Sequence, residues 1–419
     1  MKNLLLFLIN LNSVFLFVTK NYFFKSILDN KLFRSYNNIQ LNEQSVNKND
    51  KNDNNDEQFH RFGINPRLDE LNNNGELTWY VIGTSCDFPI NKPKVITIRD
   101  INYMVWRDSN SYYAIRDACS HQGSSFKGGC IYQNSITCPY HGYTFNGING
   151  QLTDIPKLQF MDSESHNVDA YKIIEKFGFV YMNTVPIKNN NNLINETSIW
   201  IEPEAYDENQ KGVILSENFE HYAKFISVNS LDICHIGFVH TFGNNKNPNP
   251  INSTRVIKMN DSNYHYKIIY EYLAGPKSLV NKIYNFNKIT VENEYILPHT
   301  TVARVLFGNF SSTIITHALP ISKFKTKLYV KAYRNYWYTN TENSDIFSIF
   351  FNSIINNIGD IITYNTMYNT LKQDKAIVDN IDKTSYSLMH GKFSILYDML
   401  SNHYKNNYKK YYEFDKFNF

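Results

Sequence analysis

Residues 119–142 read CSHQGSSFKGGCIYQNSITCPYHG, and this stretch decides the fold of the first half of the chain. It contains two pairs of metal-binding residues, Cys119-x-His121 and Cys138-x2-His141. Soft thiolates combined with imidazoles bind either zinc or an iron–sulfur cluster. Because a zinc finger usually takes its ligands as a pair of cysteines and a pair of histidines, this spacing favours the cluster. Structural zinc stays open as the alternative.

The two pairs match the ligand set of a Rieske centre, in which two cysteines bind one iron and two histidines bind the other. The sequence therefore predicts a Rieske [2Fe-2S] cluster with four ligands: Cys119, His121, Cys138 and His141. Rieske proteins of the respiratory and photosynthetic chains carry a further, disulfide-forming cysteine in each loop. Ser124 and Tyr140 stand at those places here, so the loops resemble those of oxygenases.

A second pattern of metal-binding residues lies in residues 227–243, SVNSLDICHIGFVHTFG. Two histidines, here His235 and His240, form the facial triad of non-haem Fe(II) oxygenases when a distant carboxylate joins them. At about 100° per residue, five positions turn about 500°, so the two histidines cannot share one face of a regular helix. The helix is predicted to bulge or end between them, with Gly237 as the natural place. Taken alone, this pattern fits two structural histidines equally well.

The rest of the chain reads as an α+β protein. Short β-branched and aromatic runs predict a small antiparallel β domain at 77–187, and longer strand-like runs and two helical segments follow it. Together, the two patterns make residues 77–419 resemble the catalytic α subunit of Rieske non-haem iron oxygenases. The motif style is closest to the pheophorbide a oxygenase-like branch of plants, algae and cyanobacteria. The resemblance implies a Rieske domain at 77–187 and a helix-grip (START-like) domain at 195–419 that binds the mononuclear iron.

The resemblance also implies a third iron ligand, an aspartate near the start of a late helix. Asp374 in the segment LKQDKAIVDNIDK is predicted to be this ligand, because Gln373 precedes it and apolar residues follow it. Two neighbouring carboxylates, Asp360 and Asp379, are the alternatives.

Asn229 and Asp232 are predicted to be catalytic residues that do not bind iron. Asp232 lies three residues before His235, a spacing that places both side chains on one face of a helix. A metal-bound histidine normally donates its other ring N–H to a partner such as a carboxylate. The resemblance further implies that Asp232 contacts His141 of a neighbouring subunit in a homotrimer.

The implied function is the oxidation of an organic, hydrophobic cyclic substrate by O2, with electrons from a ferredoxin and a reductase. Hydroxylation, demethylation, desaturation and ring opening are all compatible with the motifs, and the substrate could be a tetrapyrrole, a sterol or a small aromatic acid. The implied cofactors are the [2Fe-2S] cluster and a mononuclear non-haem Fe(II). His317 and the Tyr and Phe side chains of the late strands either line the substrate pocket or belong to the core, and so many aromatic residues favour the core. The alternative is a non-catalytic Rieske redox or scaffold component of an organelle envelope complex.

Residues 1–76 are predicted to be a targeting sequence rather than part of the fold. Residues 1–18 combine Lys2 with an apolar run, as a secretory signal does, and residues 19–76 form a basic, transit-like and then Asn-rich leader. Such a two-part leader predicts routing to a plastid-like organelle, an apicoplast or a chloroplast. The mitochondrion and the secretory pathway are the alternatives.

Composition narrows the remaining classes. Lys and Arg number 42 against 39 Asp and Glu, and the net charge of +3 argues against nucleic-acid binding. Five cysteines in 419 residues exclude a disulfide scaffold, and the three outside the cluster are predicted to be buried: Cys86, Cys130 and Cys234. The apolar run 346–364 is interrupted by Asn residues and Asp360, so it predicts a helix that packs or contacts a membrane surface rather than a span.

Overall fold

The computed structural model of the chain describes residues 78–158, 164–187, 196, 199–260, 262–278, 282, 285–339, 346–383 and 393–412. The signal-like segment at 1–18 and the leader at 19–76 lie outside these residues.

Short runs of β-branched and aromatic residues form the first sheet, as their strand preference predicts. It is a six-stranded antiparallel sheet with the order β1-β10-β9-β4-β3-β2. Its members are β1 (Trp79–Thr84), β2 (Lys94–Ile98), β3 (Ile101–Arg107), β4 (Tyr112–Arg116), β9 (Ala170–Lys176) and β10 (Phe179–Pro186).

A smaller antiparallel sheet lies between β4 and β9 in the chain and carries the predicted cluster loops. Its four strands pair in chain order. They are β5 (Ile131–Tyr132), β6 (Ser135–Thr137), β7 (Thr144–Asn146) and β8 (Leu152–Asp154). Cys138 follows β6 directly, and the chain returns along β7, so the second loop is the tip of a hairpin. Cys119 lies just beyond β4, which starts the first loop.

The second half of the chain forms an eight-stranded antiparallel sheet. Its order is β11-β18-β17-β16-β15-β14-β12, and β13 also pairs with β14. The strands are β11 (Lys211–Phe219), β12 (Asn252–Ser253), β13 (Ile257–Lys258), β14 (His265–Leu273), β15 (Lys288–Ile296), β16 (Thr300–Phe307), β17 (Phe310–Ser322) and β18 (Lys325–Arg334). Consecutive strands from β14 to β18 are neighbours, and β11 closes the far edge against β18.

Helices cover this large sheet. The described α-helices are α1 (Ala223–Leu231), α2 (Ile236–Val239), α3 (Ile346–Val378) and α4 (Met399–Tyr412). Short 3-10 turns occur at Ser85–Asp87, Glu164–His166, Pro203–Tyr206 and Leu396–Asp398. The predicted α+β class, a β-rich domain followed by a sheet with helices, is confirmed. No helix in the described part of the chain is long and apolar enough to cross a bilayer.

Helix α4 shows how a polar sequence is held against the sheet. Its large buried side chains lie on one helix face, mostly three or four positions apart: Leu400, Tyr404, Tyr408, Tyr411 and Tyr412. They pack in one cluster with residues of β14 and β15. The Tyr404 hydroxyl donates to the carbonyl of Pro298 at 2.9 Å, which ties the helix to the turn after β15. The rings therefore bury apolar surface without leaving this hydroxyl unpaired.

The first sheet and the large sheet share part of one core. Leu319 of β17 and Tyr329 of β18 belong to the same buried cluster as residues of β1 and β10. The Tyr329 hydroxyl donates to the Ile82 carbonyl at 2.8 Å, and the Lys331 ammonium donates to the Phe177 carbonyl at 2.8 Å. These contacts fix the Rieske-type half of the chain against the strands that follow it.

His317 belongs to this contact and not to a substrate pocket near the predicted iron ligands. Its ring lies edge-on to Phe179 and Tyr181, with ring centroids 5.3 and 6.2 Å away. Burial between the two sheets lowers its pKa to about 4, so the ring is neutral at neutral pH. His317 therefore belongs to the core, the favoured of the two interpretations, because its side of β17 faces the first sheet.

Candidate functional site

Two loops with the same hydrogen-bond pattern bring the four predicted cluster ligands together. In each loop the cysteine N–H donates to the carbonyl five residues later, at 2.8 Å for Cys119 and 2.7 Å for Cys138. The Gly123 and Gly142 N–H groups donate back to the cysteine carbonyls at 2.7 and 3.0 Å. Both glycines have a positive φ, 73° and 77°, which a residue with a Cβ adopts only under strain. The glycines therefore allow each loop to turn back on its own cysteine.

The loops place the sulfur atoms inside the protein and the imidazoles at the surface. Cys119 and Cys138 are 3% and 1% exposed. His121 and His141 are exposed, and their Nδ1 atoms lie 3.2 Å apart. Burial raises the pKa of the Cys119 thiol, and the neighbouring Cys138 raises it further, so two thiolates here require a positively charged group between them. This donor set fits a [2Fe-2S] cluster with an inner, sulfur-bound iron and an outer, histidine-bound iron.

Aromatic rings fix the orientation of the two imidazoles. The His121 ring stacks on Tyr143, with centroids 4.7 Å apart and an interplanar angle of 17°. Tyr140 lies against His141, with centroids 3.8 Å apart. Below the first loop, the buried Asp117 carboxylate accepts the Phe126 N–H at 2.8 Å. These contacts pack against the outer edge of the centre and support the first loop.

The remaining cysteines are less buried than the sequence predicts. Cys86 and Cys130 are exposed and Cys234 is half-buried. Cys86 lies in the 3-10 turn after β1, and Cys130 lies just before the short strand β5, so neither has a core face to fill. The prediction of buried side chains at Cys86 and Cys130 is wrong.

The break in the second motif lies before His235 and not at Gly237. Helix α1 ends one residue before Asp232, whose backbone is extended with φ −77° and ψ 117°. Helix α2 begins directly after His235 and ends directly before His240. The two histidines therefore flank a four-residue helix, and their ring centroids lie 5.1 Å apart. Gly237 is required for packing instead, because a Cβ there would lie 2.7 Å from Pro248.

Asp374 of α3 faces both histidines. Its Oδ1 atom lies 3.5 Å from Nε2 of His235 and 3.4 Å from Nε2 of His240. One ligand atom from each of the three residues lies within 4.8 Å of the others. Asp374 is near the C-terminal end of the 33-residue helix α3, so its predicted place near a helix start is wrong.

The two alternative carboxylates have other partners. Asp360 lies 2.8 Å from the Arg334 guanidinium and 3.1 Å from the Lys211 ammonium. Asp379 pairs with Lys375 at 2.7 Å. Both are held in ion pairs, and neither faces the histidines.

The unsatisfied atoms of this triad point to a metal. Nδ1 of His240 lies 3.2 Å from Oε1 of Gln373, which turns Nε2 towards Asp374. Asp374 Oδ1 is buried and has no hydrogen-bond partner among the described residues. Buried polar atoms are nearly always paired, so this oxygen indicates a cation that binds between it and the two Nε2 atoms. Two histidines and one carboxylate are the donor set of a non-haem Fe(II) site.

The two imidazoles differ in basicity. Burial acts to lower the pKa of His235, but the close approach of Asp374 and the charges of Asp232 and Asp374 outweigh it and raise this pKa. Burial lowers the pKa of His240; Asp374 opposes this, and the nearby His235 adds to it. His240 is therefore neutral at neutral pH, which leaves a ring nitrogen lone pair available to a metal.

The two residues predicted to be catalytic both lie close to the triad. Asn229, on α1, lines the cavity described below. The Asp232 carboxylate accepts the Cys234 N–H at 2.9 Å, and its Oδ2 lies 3.8 Å from Nδ1 of His235. This contact comes from the extended turn after α1 and not from a shared helix face, because Asp232 is not helical. The Asp232 side chain is 38% exposed, so it is also open to a partner.

The triad opens onto a cavity of about 330 Å³ between the large sheet and helices α1 and α3. The sheet contributes alternate residues of each strand, as the pleat requires; on β16 these are Thr301, Ala303, Val305 and Phe307. Apart from the triad, the described residues that line the cavity carry no charged side chain. The walls therefore suit an uncharged, largely apolar ligand.

Comparison with known proteins agrees with this geometry. Residues 78–171 match the Rieske [2Fe-2S] domain family. The chain is 37% identical over 79 residues to the oxygenase component of 3-ketosteroid-9-alpha-monooxygenase from Rhodococcus rhodochrous, which is 19% of this chain and 20% of that protein. It is 27% identical over 175 residues to the cholesterol 7-desaturase of Hemicentrotus pulcherrimus, 39% of this chain and 35% of that protein. The chain thus matches about a fifth and about a third of the length of these relatives.

Solved structures extend the likeness to both halves of the chain. Dicamba monooxygenase bound to dicamba matches with a TM-score of 0.64 at 16% identity, over 80% of this chain and 97% of its own. At this identity the match shows the fold. The class is thereby defined as a Rieske [2Fe-2S] domain followed by a helix-and-sheet domain with a two-histidine, one-carboxylate site. Residues 78–171 are thus a Rieske [2Fe-2S] domain, which implies a [2Fe-2S] cluster, and the chain resembles the Rieske non-haem iron oxygenases.

Proposed function

We propose that this chain is the oxygenase component of a system that oxidises an uncharged, hydrophobic cyclic molecule with O2. The observation that carries the proposal is the convergence of His235, His240 and Asp374 on an otherwise uncharged cavity, in a chain with a Rieske domain. The names of two relatives support the substrate class, since they refer to a ketosteroid and to cholesterol. The finer likeness to the pheophorbide a oxygenase-like branch stays a prediction.

When bound, the cluster would supply electrons one at a time, and the iron would supply the centre at which O2 and substrate react. The chain's own residues prepare that centre. Gln373 accepts the Nδ1–H of His240, which fixes the ring tautomer that presents Nε2. Phe242 stacks on the His240 ring at 5.1 Å between centroids and holds its plane. The apolar walls exclude water from the space beside the triad.

The cavity also narrows the substrate. A carboxylate group buried here would need a cationic partner, because burying an unpaired charge is costly. Among the described lining residues no lysine or arginine is present. Small aromatic acids are therefore disfavoured relative to uncharged ring systems such as sterols.

We propose a ferredoxin and a reductase as electron donors and a homotrimer as the assembly. The exposed imidazoles His121 and His141 and the half-exposed Asp232 support the trimer, because they leave both centres open to a neighbouring subunit.

Contact with a membrane surface is supported by the uncharged start of α3, where Phe350 is 66% exposed beside Ile349 and Phe351. Equilibrium sedimentation and flotation with vesicles test these two proposals; a monomer that stays off the vesicles contradicts both.

The leader at 1–76 is proposed to route the chain to a plastid-like organelle. The apolar run, the basic stretch and the Asn-rich spacer support this proposal. A fluorescent reporter fused to residues 1–76 is expected to reach that organelle. Delivery of the reporter to the mitochondrion, or its secretion, would refute the routing.

The function is tested with the purified protein, an exogenous ferredoxin and reductase, and a panel of steroids, sterols and tetrapyrroles. We expect a mass change in at least one uncharged cyclic compound that requires O2 and reductant. The same mixture with His240→Ala is the control, and it should give no product. A non-catalytic redox or scaffold protein has no need for the triad, so it would give no product with the unaltered chain either.

A further inference from the structure

Asn293 and Thr363 line the cavity, and neither side chain has a hydrogen-bond partner among the described residues. Asn293, on β15, is 3% exposed, and its amide forms no hydrogen bond with a described residue. Thr363, on α3, is 7% exposed, and its hydroxyl is likewise unpaired within the described part of the chain. Their polar atoms are not fully enclosed by protein, so they face the space of the cavity and are open to a ligand.

Several other polar groups of the same cavity are paired within the chain, although the Tyr272 hydroxyl is a third cavity-lining group with no partner among the described residues. The Thr301 and Thr316 hydroxyls bond each other at 2.7 Å. The Thr366 hydroxyl, one turn after Thr363 on α3, donates to the Ile362 carbonyl at 2.8 Å. These bonds show that the fold can pair a cavity-lining threonine hydroxyl with its own groups.

The strand register places Asn293 and Thr363 at a similar height along the strand direction. Asn293 lies in one row across the sheet with Ala303, Ile314, Ala332 and Val213. The row ends at Val213 of β11. Lys211 lies two residues before Val213, and its ammonium lies 3.1 Å from the Asp360 carboxylate of α3. From this ion pair, the helix advances about 4.5 Å to reach Thr363, and the strand advances about 6.6 Å to reach Val213. Thr363 therefore lies at about the height of this row. The two groups therefore face the cavity from its sheet wall and its helix wall.

This polar pair lies far from the metal triad. Thr363 and Asp374 are separated by eleven residues of α3, or about 16 Å along the helix axis. The sheet gives the same length: Lys375, next to Asp374, contacts the Asn218 carbonyl, five residues or about 16 Å along β11 from Val213. Part of this distance is taken up by a hydrogen bond between the polar pair and the ligand. A ligand on the order of 10 Å long then reaches from the polar pair to the triad.

We propose that Asn293 and Thr363 form a polar anchor for the hydroxyl or carbonyl oxygen at one end of an elongated, uncharged, fused-ring substrate. An amide both donates and accepts, so it serves either oxygen type, and the threonine hydroxyl adds a second contact. The opposite end of the ligand then lies at the triad. The substrate class is thus a rigid polycyclic alcohol or ketone whose oxygen is remote from the carbon that is oxidised. The assignment rests on the proposed function only for what happens at the triad.

Binding is measured without turnover, under anaerobic conditions, with the full chain carrying its metals. The probes are 5α-androstan-3-one and its parent hydrocarbon 5α-androstane, which differ by one carbonyl oxygen. Quenching of tryptophan fluorescence reports occupancy, because Trp337 lines the cavity. The unaltered chain is expected to prefer the ketone. Asn293→Leu and Thr363→Val should each lower this preference by roughly threefold to tenfold, the value of one hydrogen bond, and leave the hydrocarbon affinity unchanged.

Thr366→Val is the matched control. It removes a cavity-lining hydroxyl from the same helix, but one already bonded to the chain, so the ratio of the two affinities should change little. An equal effect of Thr366→Val overturns the anchor, as does an unaltered chain that binds both probes equally well. Unchanged preference in both Asn293→Leu and Thr363→Val overturns it too.

Two further readouts separate the possible failures. In the ligand-free protein, Asn293→Leu should leave the melting temperature unchanged or raise it, because an unpaired amide is replaced by an apolar group. A lower melting temperature would assign Asn293 a structural task instead. If the ketone binds with the expected preference but is never oxidised, the anchor stands and the proposed function fails. If a ketone is oxidised but the variants bind like the unaltered chain, the anchor alone fails.

Discussion

Replacing Asp374 by alanine is expected to remove the mononuclear iron and to lower O2-dependent oxidation below detection. The carboxylate lies 3.5 and 3.4 Å from the two histidine nitrogens and is the third ligand atom of the group. Its loss should therefore exceed the roughly 10–100-fold effect typical of residues that only support a ligand. The helix itself should persist, since alanine favours helix. Iron content per chain and product formation are the measurements.

Asp379→Asn is the matched control for this variant. Asp379 lies five residues after Asp374, but it pairs with Lys375 and does not face the histidines. This substitution should leave both the iron content and turnover close to those of the unaltered chain. Iron that is retained by Asp374→Ala and lost from Asp379→Asn would reverse the assignment of the third ligand.

Asp232→Asn is expected to leave both iron sites loaded and the cluster reducible, while turnover falls by well over about 10–100-fold. An asparagine can still accept the Cys234 N–H, so the turn that positions His235 should keep its shape. What is lost is the negative charge 3.8 Å from Nδ1 of His235, on a side chain that is open to a neighbouring subunit. In the proposed trimer this charge links the cluster of one subunit to the iron site of the next.

A single-turnover experiment isolates this effect. The cluster is reduced, substrate and O2 are added, and reoxidation of the cluster is followed spectroscopically. Slow reoxidation in Asp232→Asn with normal metal content supports the linking role. Reoxidation at the rate of the unaltered chain would contradict the linking role of Asp232, as would a fully active monomer.

Much of the architecture follows from the sequence because local patterns decide it. The Cys-x-His and Cys-x2-His pairs are short-range features, and the glycines that let both loops turn are visible as Gly123 and Gly142. The five-residue spacing of His235 and His240 correctly excludes a continuous helix. The position of the helix break cannot be predicted from the sequence, since it depends on the extended conformation of Asp232 and on the close approach of Pro248 to Gly237.

Other parts of the site depend on contacts between distant segments. The choice of Asp374 over Asp360 rests on Arg334 and Lys211, which pair with Asp360 from other strands. Its place near the end of α3 could not be predicted, because the pattern does not show how far the helix extends before it. Asn293 gave no signal in the sequence at all. Its meaning emerges only from the register that aligns β15 with β11 and α3.

The central claim is that one chain carries two separate iron centres, and counting iron while recording the reduced-state EPR spectrum tests it most directly. Three proteins are compared: the unaltered chain, Cys138→Ser and His240→Ala. The unaltered chain should contain the two irons of the cluster and one more, and show the low-average-g signal of a Rieske centre on reduction. Cys138→Ser should abolish that signal, whereas His240→Ala should lose only the additional iron and keep the spectrum intact. If His240→Ala instead destroyed the cluster signal, the two-centre account would be contradicted.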